Sequence, residues 1–212
     1  MGRRKKEPRS IHRERIASAA SVLFMEKSIA GTSMDDIAKA AGYSKATLYV
    51  YFENKEEIVG VLVLESMQKL YDYLSSALTQ QETTRARYDG ICRSLVQYQE
   101  EFPFYFKVAL DKINIDFEHT DYLPEEKETF QVGEKINEIM QDFLLSGIEK
   151  GDLRSDLDPI LTILSFWGML SGLVQLADTK QEYIKGRLDR SKKEFIDYGF
   201  RMLYRSVANT EE

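Results

Sequence analysis

At 212 residues with 43% hydrophobic side chains, the chain has room for one large or two small domains and enough apolar material to bury a core. A single cysteine, Cys92, excludes an internal disulfide and suits a reducing compartment. The net charge of −6 argues against a polyanionic partner until it is divided: residues 1–55 carry eleven Lys and Arg against six Asp and Glu, leaving eighteen basic and twenty-nine acidic residues in 56–212. A basic head on an acidic body would dock on a polyanion in one orientation.

The chain starts with a basic arm in which Arg3, Arg4, Lys5, Lys6 and Arg9 could follow the phosphates of a duplex or enter its minor groove. Alone, such a run is equally a solvated tail. No apolar stretch follows it, so nothing reads as a secretory signal and a cytoplasmic protein is expected. From about Ser10, Ile16, Ala19, Ala20, Leu23 and Phe24 repeat at helical spacing. His12, Arg13 and Arg15 fall off that stripe, within reach of phosphate.

Residues 32–55 read as two short helices and the start of a third. Ser33 caps the first, with Asp36 as its capping-box partner, and Ile37, Ala38 and Ala41 form its buried side. Gly42 stands where the helix must end in a left-handed residue. Ser44 caps the second helix, whose Leu48 and Phe52 lie four apart on one face. Asn54 caps the third, with Glu57 placed for the reciprocal bond. This is the pattern of a helix-turn-helix, whose second helix enters the major groove N-terminus first. Ser44, Lys45, Ala46 and Thr47 are then the base-reading candidates, and Tyr49, Tyr51 and Lys55, with Ser33, the backbone-contacting ones. Tyr49 and Tyr51 could alternatively be core aromatics.

The run Gly42-Tyr-Ser-Lys-Ala-Thr-Leu-Tyr-Val-Tyr-Phe-Glu-Asn-Lys55, with Thr32-Ser33, Ile37-Ala38 and Ala41-Gly42 before it, resembles the recognition-helix signature of the TetR family of bacterial transcriptional regulators. The resemblance implies an all-α homodimeric repressor of palindromic double-stranded DNA, with a three-helix DNA-binding domain (1–55) and a ligand-binding and dimerisation domain (56–212), about nine helices in all. It carries no ligand over, because the C-terminal part shows no motif of its own.

Beyond residue 55 a long helix is expected to about Gln80, spanning roughly 40 Å. Its first half, Ile58 to Leu64, is apolar almost all round, and its second half carries Met67, Leu70, Tyr71, Leu74 and Leu78. Thr83 or Thr84 opens a helix to about Glu101, in which Cys92 reads as a packing residue. Pro103 breaks the chain before an aromatic run, and Pro124 begins a helix with acids in its first turn. His119 with Asp116, Glu118 and Asp121 matches no established metal spacing, so no metal or cofactor is expected.

Asp158-Pro159 opens an eighteen-residue apolar stretch, Ile160 to Ala177, interrupted by Thr162, Ser165, Ser171 and Gln175. No membrane span is expected from it. Ser165, Gly168 and Gly172 form a seam along which another helix could approach closely. One last helix is expected to repeat Leu188, Phe195, Ile196, Gly199, Phe200, Leu203 and Val207. The dimer interface is therefore expected at Ser165, Gly168, Gly172, Phe195, Gly199 and Leu203, although the same faces could pack within one chain. Met67, Tyr71, Val96, Gln99, Phe106, Leu110, Phe130, Met140 and Trp167 are the candidates for a mostly apolar effector site, or else ordinary core. No catalytic constellation is present, so an enzyme is not expected. The alternative is an architectural DNA-binding protein of the same fold without an effector.

Overall fold

Ten α-helices make up the regular structure of the computed structural model, which describes residues 7–111 and 122–209. They are α1 (Arg9–Lys27), α2 (Met34–Ala40), α3 (Lys45–Tyr51), α4 (Lys55–Thr79), α5 (Thr84–Glu101), α6 (Pro103–Asp111), α7 (Pro124–Glu149), α8 (Pro159–Thr179), α9 (Gln181–Leu188) and α10 (Lys192–Val207). Leu153 and Ala208 form one isolated antiparallel bridge. Arg3 and Arg4 of the arm, and the Asp116, Glu118, His119 and Asp121 group, lie outside the described residues.

The helices form two compact units. The first comprises Met1–Ser66 and Lys107–Phe130, the second Met67–Phe106 and Gln131–Glu212, so the division falls inside α4, α6 and α7. The sequence had suggested residue 55 instead. The reason lies in the apolar first half of α4: Ile58 and Leu62 are fully buried in the core of the first unit, together with Ile16, Ala20, Ile37, Leu48 and Phe52. Burying such side chains is worth about 1.5–3 kcal/mol each, enough to draw this part of α4 into the head.

The head's ends are set locally. Ser33 and Asp36 form the complete capping box at α2. At its other end Gly42 adopts φ +75°, and the amides of Gly42 and Tyr43 donate to the carbonyls of Lys39 (3.3 Å) and Ala38 (2.9 Å), the Schellman arrangement. Ser44 caps α3 through the amide of Thr47 (3.1 Å). Asn54 accepts from the Glu57 amide (2.8 Å), but the Glu57 carboxylate turns back to the amide of Glu53 (2.7 Å) rather than to that of Asn54.

In the second unit α5, α8 and α10 pack on one another. The Tyr88 hydroxyl donates to the carbonyl of Phe200 (2.8 Å), tying α5 to α10. Burial pushes the Cys92 thiol up to about 12, which leaves it a protonated packing group. The single terminal helix expected from the sequence is two. Asp189 ends α9 in the left-handed region (φ 50°), and Ser191 with Glu194 makes a new capping box for α10. Leu188 therefore sits at an exposed helix end and not on the apolar face of α10.

Candidate nucleic-acid interface

Seven residues make α3, and their partition between core and solvent follows from one turn of periodicity. Leu48 is fully buried and Phe52 just beyond the helix is nearly so, while Lys45, Ala46, Tyr49 and Val50 are exposed together on the opposite side. Thr47 and Tyr51 are half-buried between the two. The outward face is thus short, uncluttered and nearly neutral, with one cation at its N-terminal end. Val50, the most exposed apolar side chain of this face, is missing from the sequence-based set. It lies four residues after Ala46 and away from Leu48, which is the signal that would have found it.

The Lys45 ammonium reaches the Asp35 carboxylate of α2 at 2.7 Å. The hydrogen bond to Asp35, then its charge, raises the Lys45 pKa. Both side chains are well exposed, so the pair is worth little and Lys45 can exchange it for a base edge or phosphate. The Ser44 hydroxyl shares a hydrogen bond with that of Thr47 (2.8 Å), and Ser33 is committed to its capping box, whose hydrogen bonds hold the Asp36 carboxyl below the usual range.

Tyr51 is positioned by α1. Its ring stacks on His12 with centroids 4.9 Å apart and lies under the Arg9 guanidinium, 5.6 Å from the centroid. His12 in turn shares a hydrogen bond with the Tyr43 hydroxyl (2.7 Å). His12 therefore belongs to an aromatic cluster that braces the end of α3.

Two cations expected to reach DNA are otherwise employed. Lys55 donates to the carbonyls of Ile29 (2.6 Å) and Thr32 (2.9 Å), satisfying the turn between α1 and α2. Arg13 lies over the Phe52 ring at 4.2 Å. Its Nη1 donates to the Tyr51 carbonyl (2.7 Å) and Glu57 (2.8 Å), and its Nη2 to Glu125 (2.5 Å). Arg13 is thus an internal tie among α1, the end of α3 and the starts of α4 and α7. Arg15, also read as a phosphate contact, pairs with Glu7 at 2.8 Å on the surface.

The sequence profile of bacterial regulatory proteins of the tetR family matches residues 16–62, the span from the core of α1 into α4. Residues 16–62 form a DNA-binding head of the TetR type. It is 26% identical over 193 residues to the biofilm operon icaADBC negative transcriptional regulator IcaR of Staphylococcus epidermidis, covering 90% of this chain and 96% of that one. Its fold is that of the ketosteroid transcriptional regulator KstR2 of Mycobacterium tuberculosis, with TM-score 0.68, 18% identity and coverage of 96% and 97%. It is also that of AibR, solved in complex with isovaleryl coenzyme A and operator DNA, with TM-score 0.69, 20% identity and coverage of 91% and 98%.

The remaining residues suggested from the sequence fall out as follows. Met67, Gln99 and Phe106 are buried in the second unit, and Tyr71, Val96, Met140 and Trp167 are half-buried there. Leu110 and Phe130 belong to the first unit. Val96 faces a groove between α5 and α10, and Met140 lines a void of about 30 Å³ beside α8, so these two look into different spaces. Ser165, Gly168 and Gly172 are exposed along α8, with Leu161, Leu164 and Leu176 beside them. Phe195 and Leu203 are half-buried. Gly199 departs from the expectation. A Cβ there would stand 2.4 Å from Leu173 Cδ2, so this glycine exists for the contact of α10 with α8 inside one chain and presents nothing to a partner.

Proposed function

We propose that the chain is a homodimeric, sequence-specific transcriptional repressor that reads its operator with Lys45, Ala46, Thr47, Tyr49 and Val50 of α3 and dimerises through α8 and α10. The exposed face of α3 carries this reading: four neighbouring side chains are turned outward on a short helix whose cap and far end are both held by the head itself. An apolar base-contacting pair, Ala46 and Val50, suits thymine methyl groups, and Lys45 suits guanine.

Dimerisation is supported by the uncovered apolar side of α8, where Leu161, Leu164 and Leu176 flank Gly168 and Gly172, and by Tyr198 and Met202 exposed on α10. A Cβ on either glycine of α8 would meet nothing within 4 Å in the single chain, which leaves room for a second helix. A patch of this kind on a single chain marks an association surface. Because two recognition helices must face one side of the duplex, half-sites should centre about 34–36 Å apart or at a multiple of that. Release by a small molecule in the second unit is supported by the likeness to AibR, solved with both isovaleryl coenzyme A and operator DNA.

The test is fluorescence anisotropy on genomic fragments selected by the protein, followed by the same measurement on shuffled duplexes. Lys45→Ala and Thr47→Ala should each lose about 1–3 kcal/mol of discrimination while leaving affinity for shuffled DNA nearly unchanged. Equal affinity of the wild type for selected and shuffled duplexes would defeat the repressor reading in favour of an architectural protein that coats DNA.

A further inference from the structure

The second unit has a groove of about 640 Å³ between α5 and α10, within the usual size of a small-molecule site. Its charge runs against that of the segment it belongs to. Residues 56–212 are strongly acidic, yet the groove is lined by five basic side chains and three acidic ones. A cation surplus here is consequently a local construction and no reflection of the bulk field.

The three carboxylates are already answered. Asp89 takes the Arg85 guanidinium at 3.0 Å, Asp197 takes Lys193 at 2.5 Å, and Glu100 has Lys192 at 3.9 Å. Lys192 itself is held at 2.9 Å by Asp178, outside the lining. What remains is a pair of guanidiniums on the two walls, Arg93 of α5 and Arg201 of α10. Among the described residues neither has an ion-pair partner. Between them the floor is apolar, built from Cys92, Val96, Ile196 and Phe200. The floor offers no thiolate to compete with an anion, since burial keeps the Cys92 thiol protonated well above neutral pH.

We infer that the groove between α5 and α10 is a binding site for a small amphipathic anion, its carboxylate or phosphate head held by Arg93 and Arg201 and its apolar body laid on Val96, Ile196 and Phe200. Guanidinium suits this task because its planar fork makes two parallel charge-assisted hydrogen bonds to such a head. A neutral molecule of the same shape would leave both cations unanswered and gain only the floor. A cationic one would be repelled. The site is read from the second unit alone and does not depend on DNA binding.

Calorimetry of the full-length protein without DNA tests it, using 4-phenylbutyrate, 4-phenylbutyl phosphate, 4-phenylbutanol and 4-phenylbutylamine as probes. The wild type should bind at least one of the two anions at one site per chain, and the better of them identifies the head group. The alcohol should bind at least about tenfold more weakly and the amine not at all. Arg93→Gln and Arg201→Gln should each weaken the anion about tenfold, whereas Arg187→Gln on the exposed surface of α9 should leave it unchanged. Val96→Asp, which adds a carboxylate to the floor, should abolish anion binding. Unchanged unfolding midpoints verify that these substitutions keep the fold. The inference is overturned if neither anion binds at millimolar concentration, if the alcohol binds as tightly as the acid, or if the two arginine variants bind like wild type.

Discussion

Arg13→Met removes a guanidinium while keeping an unbranched stem to lie over Phe52. In the native protein that guanidinium serves two carboxylates and a carbonyl at 2.5–2.8 Å. Arg13, Glu57 and Glu125 each have side chains only 18% exposed. Exposed pairs are worth about 0–1 kcal/mol, and breaking a fully buried one costs about 3–5 kcal/mol. At 18% exposure the cost should fall between, at about 2–3 kcal/mol, since two shielded carboxylates lose the cation they share. For a chain of this length that corresponds to a fall in unfolding midpoint of roughly 5–10 °C. The assay is thermal and urea unfolding of wild type, Arg13→Met, Glu125→Gln and the double variant. The double variant should lose less than the sum of the singles, because each removes the same interaction. A loss under about 0.5 kcal/mol with additive singles would refute the internal tie. If stability held and the salt dependence of DNA binding fell by about one phosphate contact, Arg13 would instead be the backbone contact its position off the α1 stripe first suggested.

Two glycines that read alike in the sequence should behave in opposite ways. Gly199→Ala should destabilise each chain by about 1–3 kcal/mol through overpacking against Leu173, measured by urea unfolding. Gly168→Leu should leave the folded chain intact but shift sedimentation towards monomer, and a monomeric wild type at micromolar concentration would remove the proposed interface altogether. Cys92, raised from 9.0 to about 12, should resist a thiol reagent at pH 8 in the native state and react once urea unfolds the chain. Because the unfolded thiol ionises first, the fold should lose stability as pH rises from about 9 towards 12; Cys92→Ala should lessen that loss, and the part left comes from Tyr73 and Tyr88, whose pKa values are raised as well.

Local chemistry determined the helix-turn-helix from sequence alone. Caps at Ser33 and Ser44 and the positive φ at Gly42 are decided by a residue and its neighbours within four positions, so they were legible before any packing was known. The apolar stripes were legible for the same reason. What a stripe cannot say is which surface it meets. Gly168 and Gly199 both marked close approach, and only the tertiary packing separated an open face of α8 from the contact with Leu173. Charges were read least well. Arg13 and Lys55 lay on polar faces beside a DNA-reading motif, yet Glu125 and the carbonyls of Ile29 and Thr32 take them up from distant or irregular parts of the chain. The surplus of cations between α5 and α10 was hidden likewise, because residues about a hundred positions apart only share a groove once the helices are packed. A side chain's partner is a property of three-dimensional neighbourhood, and no periodicity encodes it.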